Sequence, residues 1–391
     1  MADSKSPMNP RYQIPVATFK SKTVNLYHYI LFFFMISIIN CVPYVRSVRK
    51  DNLIRVAIIC GVDSVSISGI KDQVFSSECQ INLSSEIPQY FTSKNGFVFV
   101  NKKKYRGNLE VQLNNGKIWI INVVDIEDYL KGVVPCEIGG ITQPLFEAAK
   151  AQAVAARTYA WSHIDQYEHL GFDLYATVKD QVYRGFSCEN ELTNLAIEQT
   201  RGQILTYRNA PVEAKYHSTC GGRTADFNDA WPGQAPPYLK SVKCTYCSKS
   251  PHFEWQKELT KDVFFKKVRN KLASIGTKIP FDELIKNIKL IKNRKSKRVL
   301  KLIIITEKNE YTIPGYYLRT VFGDDQDPGG LLKSNYITLK AKGNKVVIEG
   351  KGWGHGVGMC QFGAIEMARQ GKNYQRILYH YYSGTKIKTI K

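Results

Sequence analysis

Residues 141–163 read ITQPLFEAAKAQAVAARTYAWSH, and this stretch decides the fold. Thr142 and Pro144 supply the polar residue and early proline that open helices. Seven alanines lie between Pro144 and His163, and Leu145, Ala149, Ala153, Ala156 and Ala160 recur at the three- and four-residue spacing of one helix face. The pattern predicts a long helix. Because alanine combines high helix propensity with little bulk, neighbouring elements can approach it closely, and the helix is expected to be central.

The flanks change period. Residues 52–124 alternate apolar and polar in short bursts, IRVAII, VSIS, GFVFV, LEVQL and KIWIINVV, with Asn114-Asn115-Gly116 as a hairpin turn. After the helix, residues 189–200 form a shorter helical pattern and residues 203–219 a hairpin pattern ending in VEAKYHST. Strands follow at VLKLIIIT, NEYTI, YITLK and KVVIEG, and helices at 363–369 and 374–382. The expected fold class is α+β, a β-rich domain around a long Ala-rich central helix with a cleft. Its parts are a β-rich segment (52–130), a core (131–255), a Lys-rich inserted segment (256–340) and a Gly-rich segment with two C-terminal helices (341–391).

Composition bounds the function. With 43% hydrophobic and 23% charged residues the chain is neither disordered, collagen-like nor polytopic. Its 55 basic and 34 acidic residues leave a net charge of +21 over 391 residues, which points to a polyanionic neighbour: nucleic acid, an anionic membrane or an acidic wall polymer. Much of the excess lies in residues 256–301, read either as a solvated helix face or as attachment to such a polymer. The N-terminus narrows the choice. Residues 29–42 (YILFFFMISIINCV) are apolar except for Ser37 and Asn40, with Lys20 and Lys22 before and Arg46, Arg49 and Lys50 after. Residues 24–45 are therefore predicted to be a membrane-spanning signal anchor or a signal peptide, behind a cytoplasmic tail of residues 1–23. A small-residue cleavage site is absent, and Asn40 before Cys41 makes a poor lipoprotein signal. The main domain is expected to be extracytoplasmic, which favours the cell envelope over nucleic acid.

Three places can carry chemistry. In VDIEDYLKGVVPCEIGG (124–140), Glu137 follows an apolar run, and a carboxylate desolvated in that way can hold a proton near neutrality. The alternative is a first-turn charge favouring a helix dipole. In GKGWGHGVG (350–358) every second residue is glycine. As a strand, one face would be bare, open to another backbone or an extended ligand, while Trp353 and His355 occupy the other; a flexible loop is the alternative. Thirdly, of the nine cysteines, Cys220 and the Cys244/Cys247 knuckle combine with His252 to fit a tetrahedral structural zinc site. A disulfide between two of these sulfurs is the rival in an oxidising compartment.

These segments resemble, in this order, the stage II sporulation protein D family (SpoIID/LytB), membrane-anchored peptidoglycan lytic transglycosylases or amidase enhancers. The matching pieces are YRGNLEV, IEDYLKGVVPCEIGG, FEAAKAQAVAARTYA, QVYRG, EAKYHSTCGGRTADFNDAWPGQAPPYLKSV, GWGHGVGMCQFGAIEMARQG and ILYHYYSGTKI. The resemblance implies Glu137 as catalytic acid, cleavage of the MurNAc-β-1,4-GlcNAc bond of peptide-stripped strands to 1,6-anhydro ends, and an amidase acting upstream. It also implies a glycan groove lined by Arg157, Tyr183, His217, Ser218, Thr219, Trp353, His355 and Gln361. Arg157 pairing with a buried carboxylate and His217 bonding a neighbouring strand are the structural alternatives. Some family members carry a His/Cys metal site where this chain has EHLGFDLYATVKDQ, with His169 and no cysteine, so that site is expected to be lost. A non-catalytic, glycan-binding amidase enhancer is the alternative function.

Overall fold

The computed structural model describes residues 52–70, 79–82, 89–280 and 283–390, so the apolar segment 24–45 lies outside the described residues. Among the described residues no helix is long and apolar enough to cross a membrane. The architecture is mixed α and β, as expected.

The alternating N-terminal bursts pair into two sheets. One runs Gln89–Phe91, Asn108–Asn114, Lys117–Asp125, Leu53–Val62, Leu174–Tyr175, antiparallel until its last, parallel pair. The other is ordered Cys79–Asn82, Ser64–Ser68, Phe97–Val100, Lys103–Arg106. The turn at Asn115 and Gly116 joins Asn108–Asn114 to Lys117–Asp125 with both residues at positive φ.

The chain then enters α1 (Ile126–Lys131) and α2 (Val134–Ile138), followed by the predicted central helix α3 (Phe146–Ser162). Spacing suggests one apolar face on α3, but Ala148 through Ala160 are almost all buried, so the helix is enclosed on every side. The small alanine surface permits that. Helices α1, α2 and α4 (Glu191–Gln199), with α7 (Gln361–Arg369), α8 (Tyr374–Tyr381) and the strand Gln203–Tyr207, all pack on it. Asn190 caps α4 by accepting from the Leu192 and Thr193 amides at 3.0 and 3.3 Å.

Two patterns resolve differently from their sequence reading. The second strand expected in residues 203–219 does not close a long hairpin. Only Ala210–Pro211 turns back on Gln203–Tyr207, whose other edge takes the C-terminal strand Lys386–Thr389. Tyr216–His217 instead pairs in parallel with Met359–Cys360. Among the described residues of the Lys-rich segment 256–301, only α5 (Lys261–Ser274) is helical. Ile285–Lys292 is a strand, because its apolar residues are interleaved with lysines and Val299–Thr306 offers a β-branched partner.

That segment contributes a second core. Phe264, Val268, Leu272, Leu302, Ile304, Ile313 and Ile348 are buried together with Leu318 and Phe322 of α6 (Leu318–Phe322). Two three-stranded sheets enclose it: Ile285–Lys292, Val299–Thr306, Glu310–Pro314, and Glu254–Thr260, Lys345–Lys351, Ile337–Lys342. The main core gathers around α3. A cleft lined from both lobes runs past the N-terminal end of α7.

Candidate active site

Glu137 stands on α2, a five-residue helix with proline in its first turn. Gly132 permits the tight step from α1, since a Cβ there would stand 2.5 Å from the Tyr183 ring. A disulfide from Cys136 to Cys188 ties the same helix to the segment Gly185–Cys188, the Cα atoms 6.2 Å apart. Glu137 Oε1 accepts from the Val182 amide at 2.8 Å, and Oε2 faces Gln361 Nε2 at 3.5 Å. Both contacts favour the ionised form. Burial outweighs them, and the carboxyl is pushed up to about 6.

A hydrogen-bonded chain lies close by. The Tyr129 hydroxyl donates to Gln181 Oε1 at 3.1 Å, and Gln181 Nε2 donates to the Tyr216 hydroxyl at 2.9 Å and to the Ala156 carbonyl at 3.3 Å. Burial first, and the nearby Glu137 carboxylate second, raise the Tyr216 hydroxyl pKa and keep it protonated.

The Gly-rich segment is not a pleated strand. The strand ends at Lys351, and Gly352, Gly354, Gly356 and Gly358 take φ of +77°, +109°, +85° and +72°, a region open to glycine and strained for other residues. Its close approach is to protein backbone. Trp353 exchanges bonds with Thr219 at 2.7 and 3.0 Å, the Ala225 amide donates to the Gly356 carbonyl at 2.7 Å, and a Cβ on Gly358 would collide with the Lys215 carbonyl. The side chains of Trp353 and His355 are thereby set at the cleft.

Six of the expected residues line one cleft of about 490 Å³: Glu137, His217, Ser218, Trp353, His355 and Gln361. Both histidines are engaged with backbone. His355 bonds the Tyr216 carbonyl through Nε2 at 2.9 Å and accepts from the Val357 amide at Nδ1, while His217 Nδ1 bonds the Val357 carbonyl at 3.1 Å. Burial lowers both, His217 to about 3, so they stay neutral. Three expected groove residues are elsewhere. Arg157 is fully buried on α3, donating to both Glu127 oxygens at 2.8 and 2.5 Å and to the Gln203 and Ile197 carbonyls. Tyr183 packs on Tyr129 and donates to Asn122 Oδ1 at 2.8 Å. The Thr219 hydroxyl is buried against Ser250 Oγ at 2.7 Å. In each case a polar group inside the protein found an internal partner.

The metal-ligand reading also needs correction. The sulfurs of Cys220, Cys244, Cys247 and Cys360 lie within 4.8 Å of one another, all four residues buried. His252 is not among them; its ring packs edge-on against Trp353, centroids 4.2 Å apart. The fourth sulfur comes from far along the chain, because Cys360 caps α7 and the pairing of Tyr216–His217 with Met359–Cys360 carries it to Cys220. Cys360 Sγ accepts from the Cys220 and Gly363 amides at 3.3 and 3.4 Å and lies 3.6 Å from the Ser218 carbonyl, where a thiol would donate. A tetrahedron with Zn–S near 2.3 Å has S–S edges of about 3.8 Å, so four sulfurs so placed can hold such an ion.

Sequence reasoning missed a second part of the cleft. Val178, Asp180, Tyr216, Arg319, Leu331 and His355 line both the Glu137 cleft and an adjoining pocket of about 310 Å³ that adds Lys215, Trp231 and Tyr316. Asp180 and Tyr216 lie inside quoted segments and could have been suspected. Nothing in the Lys-rich segment marks Arg319 among so many cations.

Comparison with known proteins places this geometry. A family model described as stage II sporulation protein matches residues 114–207. The stage II sporulation protein D of Bacillus subtilis is 33% identical over 282 residues, covering 68% of this chain and 74% of that protein. The chain belongs to the stage II sporulation protein D (SpoIID) family. An uncharacterized protein of Brachyspira hyodysenteriae is 35% identical over 298 residues, 76% of this chain and 75% of its own length. The amidase enhancer of Bacillus subtilis is 31% identical over 297 residues, which is 66% of this chain but 40% of that protein. The SpoIID match spans α1 to α4 and so includes Glu137. A separate model, a domain of unknown function (DUF8618), matches residues 245–358 and takes in the whole second core with Arg319.

Proposed function

We propose that this SpoIID-family chain is a peptidoglycan lytic transglycosylase that cleaves the MurNAc-β-1,4-GlcNAc bond of peptide-stripped strands. The observation carrying this reading is the Glu137 carboxyl, titrating at about 6 and lining an open cleft. Protonated, it gives its proton to the glycosidic oxygen as the bond to the muramyl anomeric carbon breaks. The resulting carboxylate takes the proton of the muramyl C6 hydroxyl as that oxygen closes on the anomeric carbon, leaving a 1,6-anhydro end and Glu137 protonated again. The attacking oxygen is the substrate's own, so the second carboxylate that positions or replaces water in ordinary glycosidases has no task. Trp353 offers a face for a sugar ring, and Gln361 keeps one carboxyl oxygen oriented.

Cys220, Cys244, Cys247 and Cys360 are proposed to hold a structural zinc, with all four coordination positions filled by sulfur. The Cys136–Cys188 disulfide favours an oxidising compartment, which supports an extracytoplasmic domain held to the membrane by residues 24–45. An amidase that strips stem peptides would act upstream.

A second reading, glycan binding in aid of an amidase without cleavage, is favoured by the likeness to an amidase enhancer. The full chain in detergent, incubated with peptide-free and peptide-bearing strands, separates the two by mass spectrometry of the products. Anhydro-ended fragments that disappear in Glu137→Gln are the expected result. Strand binding without any released fragment would hand the function to the second reading.

A further inference from the structure

The cleft continues beyond Glu137 into a pocket whose charge is unusual. Its lining holds three cations, Lys179, Lys215 and Arg319, against one acid, Asp180. Asp180 is already satisfied, accepting from the Tyr175 amide at 2.9 Å and from the Tyr159 hydroxyl and Gln166 Nε2 at 3.0 Å each.

Arg319 has no such counter-charge. Its Nε donates to the Leu332 carbonyl at 3.0 Å, which fixes the side chain, and no carboxylate among the described residues pairs with it. Burial, and then the charge of Arg298, hold it down to about 10. Mostly enclosed guanidinium groups are normally paired, because desolvation without a counter-charge is costly. Lys215 is similar. Its side chain is 15% exposed, and Glu213 is 3.8 Å away, beyond hydrogen-bond reach. The ammonium lies 5.1 Å from the ring centres of both Tyr159 and Trp231. Two largely enclosed cations lining one pocket with a half-buried tryptophan describe a receptor for an anion carried on a sugar-sized body.

Resting on the glycan reading above, we infer that this pocket is a carboxylate subsite in which Arg319 and Lys215 receive the free lactyl carboxylate of a peptide-stripped muramyl residue. The chemistry distinguishes the two kinds of strand. When the stem peptide is present, the lactyl carboxyl is an amide: neutral, carrying an N–H that faces donors, and attached to a chain that a pocket of about 310 Å³ cannot enclose. Removing the peptide exposes an anion whose two oxygens match a guanidinium fork. Arg319 lines both the Glu137 cleft and this pocket, so recognition of the anion would register the muramyl residue beside the catalytic carboxyl. Selection for stripped strands would then come from α6, within the segment matched by the domain of unknown function.

The test is calorimetry on the full chain in detergent, carrying Glu137→Gln so that ligand is not consumed. Three probes are titrated: a peptide-free GlcNAc-MurNAc tetramer, the same tetramer with its lactyl groups as methyl amides, and chitotetraose, which has no lactyl group. Because an amide cannot reproduce a charge-assisted bidentate pair, the free acid should be preferred by roughly tenfold or more. Arg319→Gln and, separately, Lys215→Gln should bring that ratio close to one; chitotetraose affinity retained in Lys215→Gln, which does not line the Glu137 cleft, shows that the cleft is still folded. An undiminished preference in Arg319→Gln, or equal affinity for acid and amide before substitution, overturns the carboxylate subsite and leaves the glycan reading standing. Failure of all three probes to bind overturns both.

Discussion

Replacing Glu137 by glutamine tests the proposed proton without any substrate. The unfolded carboxyl titrates near 4.5 and the folded one at about 6. Below 4.5 both states hold the proton and the group contributes nothing to the difference between them. As pH rises through the window the unfolded chain releases its proton first, so stability falls; above 6 the folded protein carries an ionised, half-buried carboxylate. At about 1.4 kcal/mol per pH unit the loss is ~2 kcal/mol, and partial contact with water in the cleft reduces it toward ~1 kcal/mol. Glutamine cannot ionise. Its oxygen can still accept from the Val182 amide, and rotation of the Gln361 amide would present an oxygen to its nitrogen. Glu137→Gln is therefore expected to be more stable than the parent by ~1–2 kcal/mol at pH 7.5 and equally stable at pH 4. Urea unfolding followed by tryptophan fluorescence at a series of pH values reads this directly. A difference that stays constant between pH 4 and 7.5, or a variant less stable at pH 7.5, would refute the raised carboxyl and remove the basis for its acid role.

The legible parts of this molecule are those where local pattern and tertiary demand agree. Residues 146–162 are helical because alanine favours the helix and suits a crowded position, and both pressures act on the same residues. The same agreement makes the N-terminal strands and Glu137 readable: an apolar run ending in a carboxylate is desolvated whether α2 is a turn or a helix. Arg157 is ambiguous for a physical reason. A charged residue among alanines signals burial with a partner, but the partner Glu127 lies 30 positions earlier, and sequence does not say whether the partner is protein or ligand.

Long-range pairing hides the rest. His252 follows the Cys244/Cys247 knuckle closely, so local spacing selects it. Cys360 is delivered from the far end of the chain by a short parallel pairing that no local pattern announces. The alternating glycines fit the strand period, whereas positive φ at each of four glycines produces the same alternation with a different path. Arg319 illustrates a further limit. A functional cation cannot be told from a solvated one by composition, and only the fold shows which of many is enclosed without a counter-charge.

Three further outcomes follow from buried groups. Arg157→Met leaves the Glu127 carboxylate in the core without its cation and should cost ~3–5 kcal/mol in urea unfolding, much of it recovered by adding Glu127→Leu; weaker strand binding at unchanged stability would return Arg157 to the groove. The metal proposal separates Cys360 from His252 by metal analysis of purified protein. Cys360→Ser removes one of four sulfurs and should abolish stoichiometric zinc, whereas His252→Ala, which alters a ring packed on Trp353, should retain it. Zinc lost in His252→Ala and kept in Cys360→Ser would restore the mixed site. Thiol titration distinguishes metal from disulfide: beyond thiols outside the cluster such as the exposed Cys60, a chelator should expose four more without any reductant, and a paired cluster would add none until reduced. Charge supports the metal. Four thiolates around Zn²⁺ carry a net charge of −2, and the fully buried Arg298, which donates to the Cys220 carbonyl at 3.2 Å, supplies a neighbouring positive charge. The Asp229 carboxylate balances part of that charge, and the anionic cluster of the proposed metal site would balance more of it than four neutral thiols would.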